Sequence, residues 1–220
     1  YPLFHPVPYG RTIHLADGLE AVFHDAGHVL GSSSLMLKAD RNGETRKILF
    51  SGDVGRRNRP ILRDPTLFDE ADYIIVESTY GDKLHDDGDK IADELAEVIN
   101  STVANGGNII VPSFALERAQ EILYYMSGLL EENRIPHILV FFDSPMAVSI
   151  TEIFEEHLDL FDKEAREIIR SGKSPFSFPG LTRVSTTDES KAINWISGSI
   201  MIIAGSGMCN GGRVKHHLVS

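Results

Sequence analysis

Residues 23–37, FHDAGHVLGSSSLML, set two histidines and an aspartate between two apolar runs, with Gly31 and three serines directly behind them. His24, Asp25 and His28 can all bind a metal ion or carry a proton, and a loop joining two strands leaves such groups accessible. Their meaning depends on what the other strand ends of the chain carry.

Outward from this loop, the runs RTIHL, LEAVFH, SSLMLKA and RKILFSG are short and strand-like. Turn signals such as ADG and DRNGE separate them, which predicts antiparallel β-structure up to about residue 80. The run DYIIVEST (72–79) is more continuously apolar, the pattern of a strand covered on both faces. Beyond it the texture changes. DKIADELAEVINSTVAN carries Ile91, Leu95, Val98 and Ile99 at helical spacing and stops at Gly106-Gly107, a helix-ending signal. Then follow the strand NIIVP, a helix from about Glu117 through RAQEILYYMSGLL, and the strand HILVFFD. Helices are expected around 146–158 and 162–171, then the strand LTRVST, a helix through ESKAINWI, the buried strand SIMIIAG and a last helix opening at GGRVKHHL. Such alternation predicts an α/β unit with a mainly parallel sheet flanked by helices on both faces. No internal repeat is present, and HDDGD (85–89) reads as a short solvated acidic loop.

Composition sets the limits. The 220 residues, 42% of them apolar, are ample for a packed core. One cysteine, Cys209, excludes an internal disulfide and fits a reducing cytoplasm. No apolar run approaches the ~18 residues of a membrane span, and YPLFHPVPYG lacks the continuous apolar stretch of a signal peptide. The formal net charge of -11, with 32 acidic against 21 basic residues, argues against a broad basic face for nucleic acid. Phosphates met at a metal centre with a few local arginines remain compatible with it, because a bound cation inverts the local field. A start without methionine and an abrupt stop after HHLVS point to an excerpt of a longer protein.

Polar and ionisable groups collect where strands end. DAGH follows EAVFH, Asp53 follows KILFSG, and Glu77 stands in ESTYG after YIIV. SFALERAQE follows NIIVP, DSP (143–145) follows LVFF, and GSGMCNGGRVKHH follows SIMIIA. In open sheets flanked by helices, ligands bind beyond the carboxyl ends of strands. Singly, each has an ordinary explanation. His28 would be a hydrogen-bonded loop histidine, Asp53 a turn former, Glu77 a capping or surface group, GSGMCNGG a tight turn, and His216-His217 a surface pair.

As an ordered set the segments resemble one family. HDAGHVLGSSSLML, LFSGDVGR and VESTYGD look like the third and fourth metal motifs of the metallo-β-lactamase fold, followed by the first motif of the β-CASP insertion. That insertion defines the branch of the superfamily acting on nucleic acids. VPSFALERAQEILYYM, VFFDSPMAVSITEIF and IIAGSGMCNGGRVKHHL are similar to further stretches of the same branch. The resemblance covers nearly the whole chain and is of the RNA-processing type, similar to archaeal and bacterial relatives of the cleavage and polyadenylation endonuclease. It implies the C-terminal part of the first segment of an αββα metallo-β-lactamase sandwich over 1–80 and a β-CASP domain over 81–220.

The resemblance also implies roles. In that family two zinc ions share a bridging hydroxide at the sandwich edge. His28 matches a ligand of one zinc and Asp53 the carboxylate that bridges both, chemistry that suits imidazole and a carboxylate spanning cations about 3.5–4 Å apart. His24 and Asp25 match no ligand position and are expected to orient His28. Glu77 matches the acidic residue of the first β-CASP motif, expected to orient a catalytic histidine or accept a proton. His217 is expected to be the later motif's histidine, giving a hydrogen bond or proton to the leaving oxygen, with His216 as the alternative register. The N-H groups of GSGMCNGG ahead of a helix suit a phosphate. Ser206, Gly207 and Arg213 are therefore phosphate-contact candidates, and Ser113 and Arg118 weaker ones. A cation early in a helix is disfavoured by the dipole, so Arg118 calls for a partner.

The sequence also departs from the pattern. The zinc signature H-x-H-x-D-H occurs nowhere in the 220 residues, nor does the family's last histidine ligand. The expectation is that this chain alone binds zinc poorly and hydrolyses nothing, while its parent is a zinc-dependent ribonuclease cutting single-stranded RNA held between the two domains. Endonuclease and exonuclease action are equally open, as is a homodimer. Two rivals stand. One is a non-catalytic scaffold in an RNA-processing assembly. The other is a hydrolase of a small ester or thioester, disfavoured because small-substrate members lack the long insertion after ESTYG.

Overall fold

A computed structural model describes residues 3–84 and 88–220; residues 85–87 of the expected acidic loop lie outside the described residues. The chain divides into two compact units, Tyr1–Asp86 and Asp87–Ser220.

Unit 1 is a five-stranded sheet in sequential order, β1 (Thr12–Ala16), β2 (Leu19–Asp25), β3 (Ser33–Arg41), β4 (Glu44–Phe50) and β5 (Tyr73–Ile75). The first four strands run antiparallel, and β5 joins β4 in parallel. Register is set by the turns. Arg41 pairs with Glu44 across Asn42-Gly43, both with positive φ (53° and 79°), the handedness that a two-residue hairpin needs. The register Asp25↔Ser33 then leaves residues 26–32 as the loop that carries His28. Val22, Met36 and Leu49 stand across from one another on one face.

The expectation of a doubly covered strand over 72–79 is corrected. Only Tyr73–Ile75 pair, at the sheet edge, and Tyr73, Ile74, Ile75 and Val76 are all more than half exposed. A continuous apolar run shows that both faces call for cover; within unit 1 the described residues do not provide it.

Unit 2 holds a four-stranded parallel sheet in the order β6 (Ile109–Pro112), β9 (Ile200–Ala204), β7 (Leu139–Asp143), β8 (Leu181–Arg183). The helices are α1 (Ile91–Ala104), α2 (Arg118–Glu131), α3 (Pro145–Glu156), α4 (Lys163–Arg170), α5 (Thr187–Ile193) and α6 (Val214–His217). All five residues of β9 are buried, as its continuous apolar sequence requires of a central strand. Successive side chains face opposite sides. Phe141, Ile200, Ile202 and Ala204 pack with Ile193 of α5 and Val214 of α6, while Val140, Phe142, Met201 and Ile203 of the other face are equally buried. Phe154, Phe161 and Phe176 form a second buried cluster, their ring centroids 6.0–6.2 Å apart.

Local chemistry fixes the helix ends. The N-H groups of Gly106 and Gly107 bond back to Val103 and Thr102, with Gly106 at φ 71°, and so close α1. Ser144 caps α3 ahead of Pro145, and Thr186 with Glu189 forms a reciprocal capping box on α5. Of the apolar positions read on α1, Ile99 is buried and Val98 half exposed. The final helix is a single turn. No helix among the described residues is long and apolar enough to cross a membrane.

Candidate functional site

In unit 1, backbone packing draws three of the expected residues together. Ala26 N donates to Ser32 O, and the Ser32 hydroxyl accepts from His28 N and Val29 N, so the loop closes on itself in front of His28. Tyr9 clamps it by donating its hydroxyl to Ser32 O at 2.8 Å; burial first, then the Asp25 charge, push this phenol up to about 12. The loop after β4 approaches from the other side. Gly55 N donates to Ala26 O, and a Cβ on Gly55 would lie 1.7 Å from Gly27 O, so only glycine allows this approach. The result is that His28 Nε2 and Asp53 Oδ2 stand 4.0 Å apart, both exposed (47% and 75%).

Glu77 is seated beside them. Its Oε1 accepts from Val54 N at 2.8 Å, and its own N-H donates to Ser51 Oγ. The Val54 N-H and then the Thr79 hydroxyl hold this carboxyl below the ordinary carboxylate range; burial opposes them, and the Thr79 N-H and His28 add lesser attractions. His24 and Asp25 act differently from a direct tie to His28. Asp25 Oδ1 accepts from Gly27 N and so shapes the backbone before His28; burial raises its carboxyl, opposed by that N-H and by Arg63. His24 packs edge-on against Phe68 with ring centroids 5.0 Å apart, and burial lowers the pKa of its imidazole.

His28 and Asp53 provide one imidazole nitrogen and one carboxylate, chemistry that fits zinc and makes up part of the usual four-donor shell. Among the described residues no group of three or more histidine, cysteine or acidic side chains is placed to hold a metal ion.

In unit 2 the expected residues sit at the carboxyl ends of the parallel strands. His217 is buried, with Nε2 2.7 Å from Asp143 Oδ2 and Nδ1 3.0 Å from Asn194 Oδ1. Facing an acceptor-only carboxylate, Nε2 donates. The direct role expected of His217, a bond to a leaving oxygen, finds both ring nitrogens already engaged. His216, one position earlier, is exposed. Arg213 also turns inward, with Nη1 2.6 Å from Asp143 Oδ1 and Nη2 3.0 Å from Ser185 O. Asp143, wholly buried, further accepts from Ser190 Oγ at 2.6 Å. Asp143 carries no sequence signal beyond its place directly after LVFF, at a strand end.

The loop between β9 and α6 is built on close approach. A Cβ on Gly212 would lie 2.4 Å from Gly205 O, and one on Gly207 2.9 Å from the Phe114 ring. Ser206 Oγ donates to Asn210 Oδ1. Because α6 is one turn long, the phosphate-binding potential expected of a helix N-terminus reduces to the amides of this loop. Ser113 is buried with its hydroxyl on Phe114 O, and Arg118 bonds to Glu121 one turn on in its own helix, so the partner it calls for is internal. A groove of about 340 Å³ beside α2, lined by Tyr124, Tyr125 and Arg134 among others, includes none of the expected site residues.

Comparison with known proteins adds relatives to this geometry. Residues 119–220 match the family model described as the Beta-Casp domain. The chain is 38% identical to Ribonuclease TTHA0252 of Thermus thermophilus over 97% of its own length and 48% of the relative's. It is 30% identical to an RNase J-like protein of Methanocaldococcus jannaschii (96% and 48%) and 30% identical to Endoribonuclease YSH1 of Eremothecium gossypii (94% and 26%). The chain thus spans about half the length, or less, of these curated relatives.

Proposed function

We propose, for a chain that carries a β-CASP domain and falls in the nuclease branch of the metallo-β-lactamase superfamily, that it is part of a zinc-dependent ribonuclease acting on single-stranded RNA in the cytoplasm. Relatives named ribonuclease and endoribonuclease, matched along almost the whole chain, support an RNA-processing nuclease. The observation that carries the finer reading is the approach of His28 Nε2 to Asp53 Oδ2 at 4.0 Å beside the Glu77 carboxylate.

His28 and Asp53 would hold zinc together with donors from the rest of the full-length protein. Bound there, zinc would supply Lewis acidity and lower the pKa of water. The chain's own residues do the remaining work. Glu77, ionised and fixed by Val54 N-H, is available to accept a proton or orient a partner imidazole. In unit 2, Ser206, Gly207 and Arg213 would take RNA phosphates at the glycine-rich loop, since amides and a guanidinium at a strand end suit a phosphate better than a broad basic face does in a chain of net charge -11. His217, engaged with Asp143, would act by holding that loop in place.

The test is incubation of the full-length protein with end-labelled single-stranded RNA and, separately, with a thioester, each with and without chelator. Chelator-sensitive RNA cleavage without thioester hydrolysis is expected. Thioester hydrolysis alone, or no hydrolysis by metal-loaded protein, overturns the reading.

A further inference from the structure

The carboxylate of Asp143 is withdrawn completely from solvent, so its charge must be matched inside the protein. The groups that match it come from separate parts of the chain. Arg213 Nη1 bonds Oδ1, while Ser190 Oγ from α5 and His217 Nε2 from α6 share Oδ2. The same guanidinium reaches the carbonyl of Ser185 just beyond β8, and the same imidazole meets Asn194 at the end of α5. One buried carboxylate at the end of β7 therefore ties down the segment that leaves β9.

That segment, residues 205–213, is closed at its base. Val214 N donates to Gly205 O, and Gly212 crosses Gly205 at a distance that excludes a side chain. Two of the guanidinium's three nitrogens are used within the protein, Nη1 on Asp143 and Val184 and Nη2 on Ser185, which fixes its plane. About a fifth of the side chain still reaches the surface. A guanidinium held on one edge presents its remaining N-H groups in one orientation, the condition for recognising a phosphate rather than merely attracting it.

We propose that Asp143 is a positioning residue for RNA: it holds Arg213 and the 205–213 loop in the arrangement that contacts a backbone phosphate. The inference rests on the reading of the loop as an RNA-phosphate site.

The experiment measures binding of single-stranded RNA by the full-length protein over a range of salt concentrations, with thermal melting as a check of folding. For a single strand, each phosphate that the protein ceases to neutralise reduces the slope of log K against log salt by about 0.7. D143N and R213M should each raise Kd about tenfold and lower the slope by about that amount, and the double variant should go no further. Loss of folded protein alone would reduce the binding amplitude and leave the slope unchanged. If D143N does not fold, R213K decides, because it keeps the charge but cannot span Asp143 and Ser185; about a tenfold weaker Kd is expected. Wild-type affinity and slope in folded D143N or in R213K overturn the positioning role. Absence of RNA binding by the wild type overturns instead the reading beneath it.

Discussion

Gly55 packs against Gly27 at a distance that leaves no room for a Cβ, and this backbone contact sets the His28 imidazole and the Asp53 carboxylate 4.0 Å apart. Neither residue of the ionisable pair holds the other in place; the glycines do. Replacing Gly55 by alanine should therefore cost at least about 2 kcal/mol, since the added carbon would meet main chain that has no rotamer to yield. Gly31, at φ 85° with nothing within 4 Å of its would-be Cβ, should lose only about 1 kcal/mol on the same change, from backbone strain alone. Urea denaturation of the two variants measures the difference.

The Tyr9 hydroxyl closes the His28 loop through Ser32 O. Tyr9→Phe should lower stability by about 1 kcal/mol, the usual net value of one hydrogen bond. Amide exchange at His28 and Val29, whose N-H groups depend on the same serine, should quicken. Unchanged exchange would show that the clamp does not restrain the loop.

Acid should act on Glu77 late. Its folded pKa is depressed, chiefly by Val54 N-H and then by Thr79, so its contribution to stability is present above the ordinary carboxylate value, near about 4.3. That contribution is lost as pH falls through the lower folded value. Glu77→Gln should flatten the loss of stability of unit 1 as the pH falls below the ordinary carboxylate value, relative to wild type. Parallel acid titrations of the two proteins, followed by denaturant midpoint, give the comparison.

In unit 2 the cluster of Phe154, Phe161 and Phe176 is closed on all sides. Phe161→Ala should cost about 3–5 kcal/mol through reduced burial and the cavity it leaves. Far-UV circular dichroism during denaturation measures the loss.

Local signals were legible in the sequence. Asn42-Gly43 announces the β3–β4 hairpin, Gly106 the end of α1, and the unbroken apolar run of β9 its central place in a parallel sheet. Each depends on a few adjacent residues and on rules of turn and strand chemistry. What could not be read depends on pairs far apart in the chain. The contact of Gly27 with Gly55 and the meeting of Asp143 with Ser190, Arg213 and His217 follow from tertiary packing and leave no periodic trace. His217 therefore reads as a histidine open to a leaving oxygen, although it is buried with both nitrogens engaged. The exposure of β5 was hidden for the opposite reason: its apolar run records what a strand requires, and the sequence alone does not say which segment meets that requirement.

The most direct test of the central claim, that the His28–Asp53 pair is part of a metal centre for RNA cleavage, is the metal content and single-turnover RNA cleavage rate of the full-length protein with Asp53→Asn. A neutral amide would offer zinc neither the charge nor the donor strength of the Asp53 carboxylate, so bound zinc should fall and the rate should drop by about 10³-fold or more, with the fold kept because Asp53 is exposed. A variant that keeps both its zinc and its wild-type rate would contradict the account.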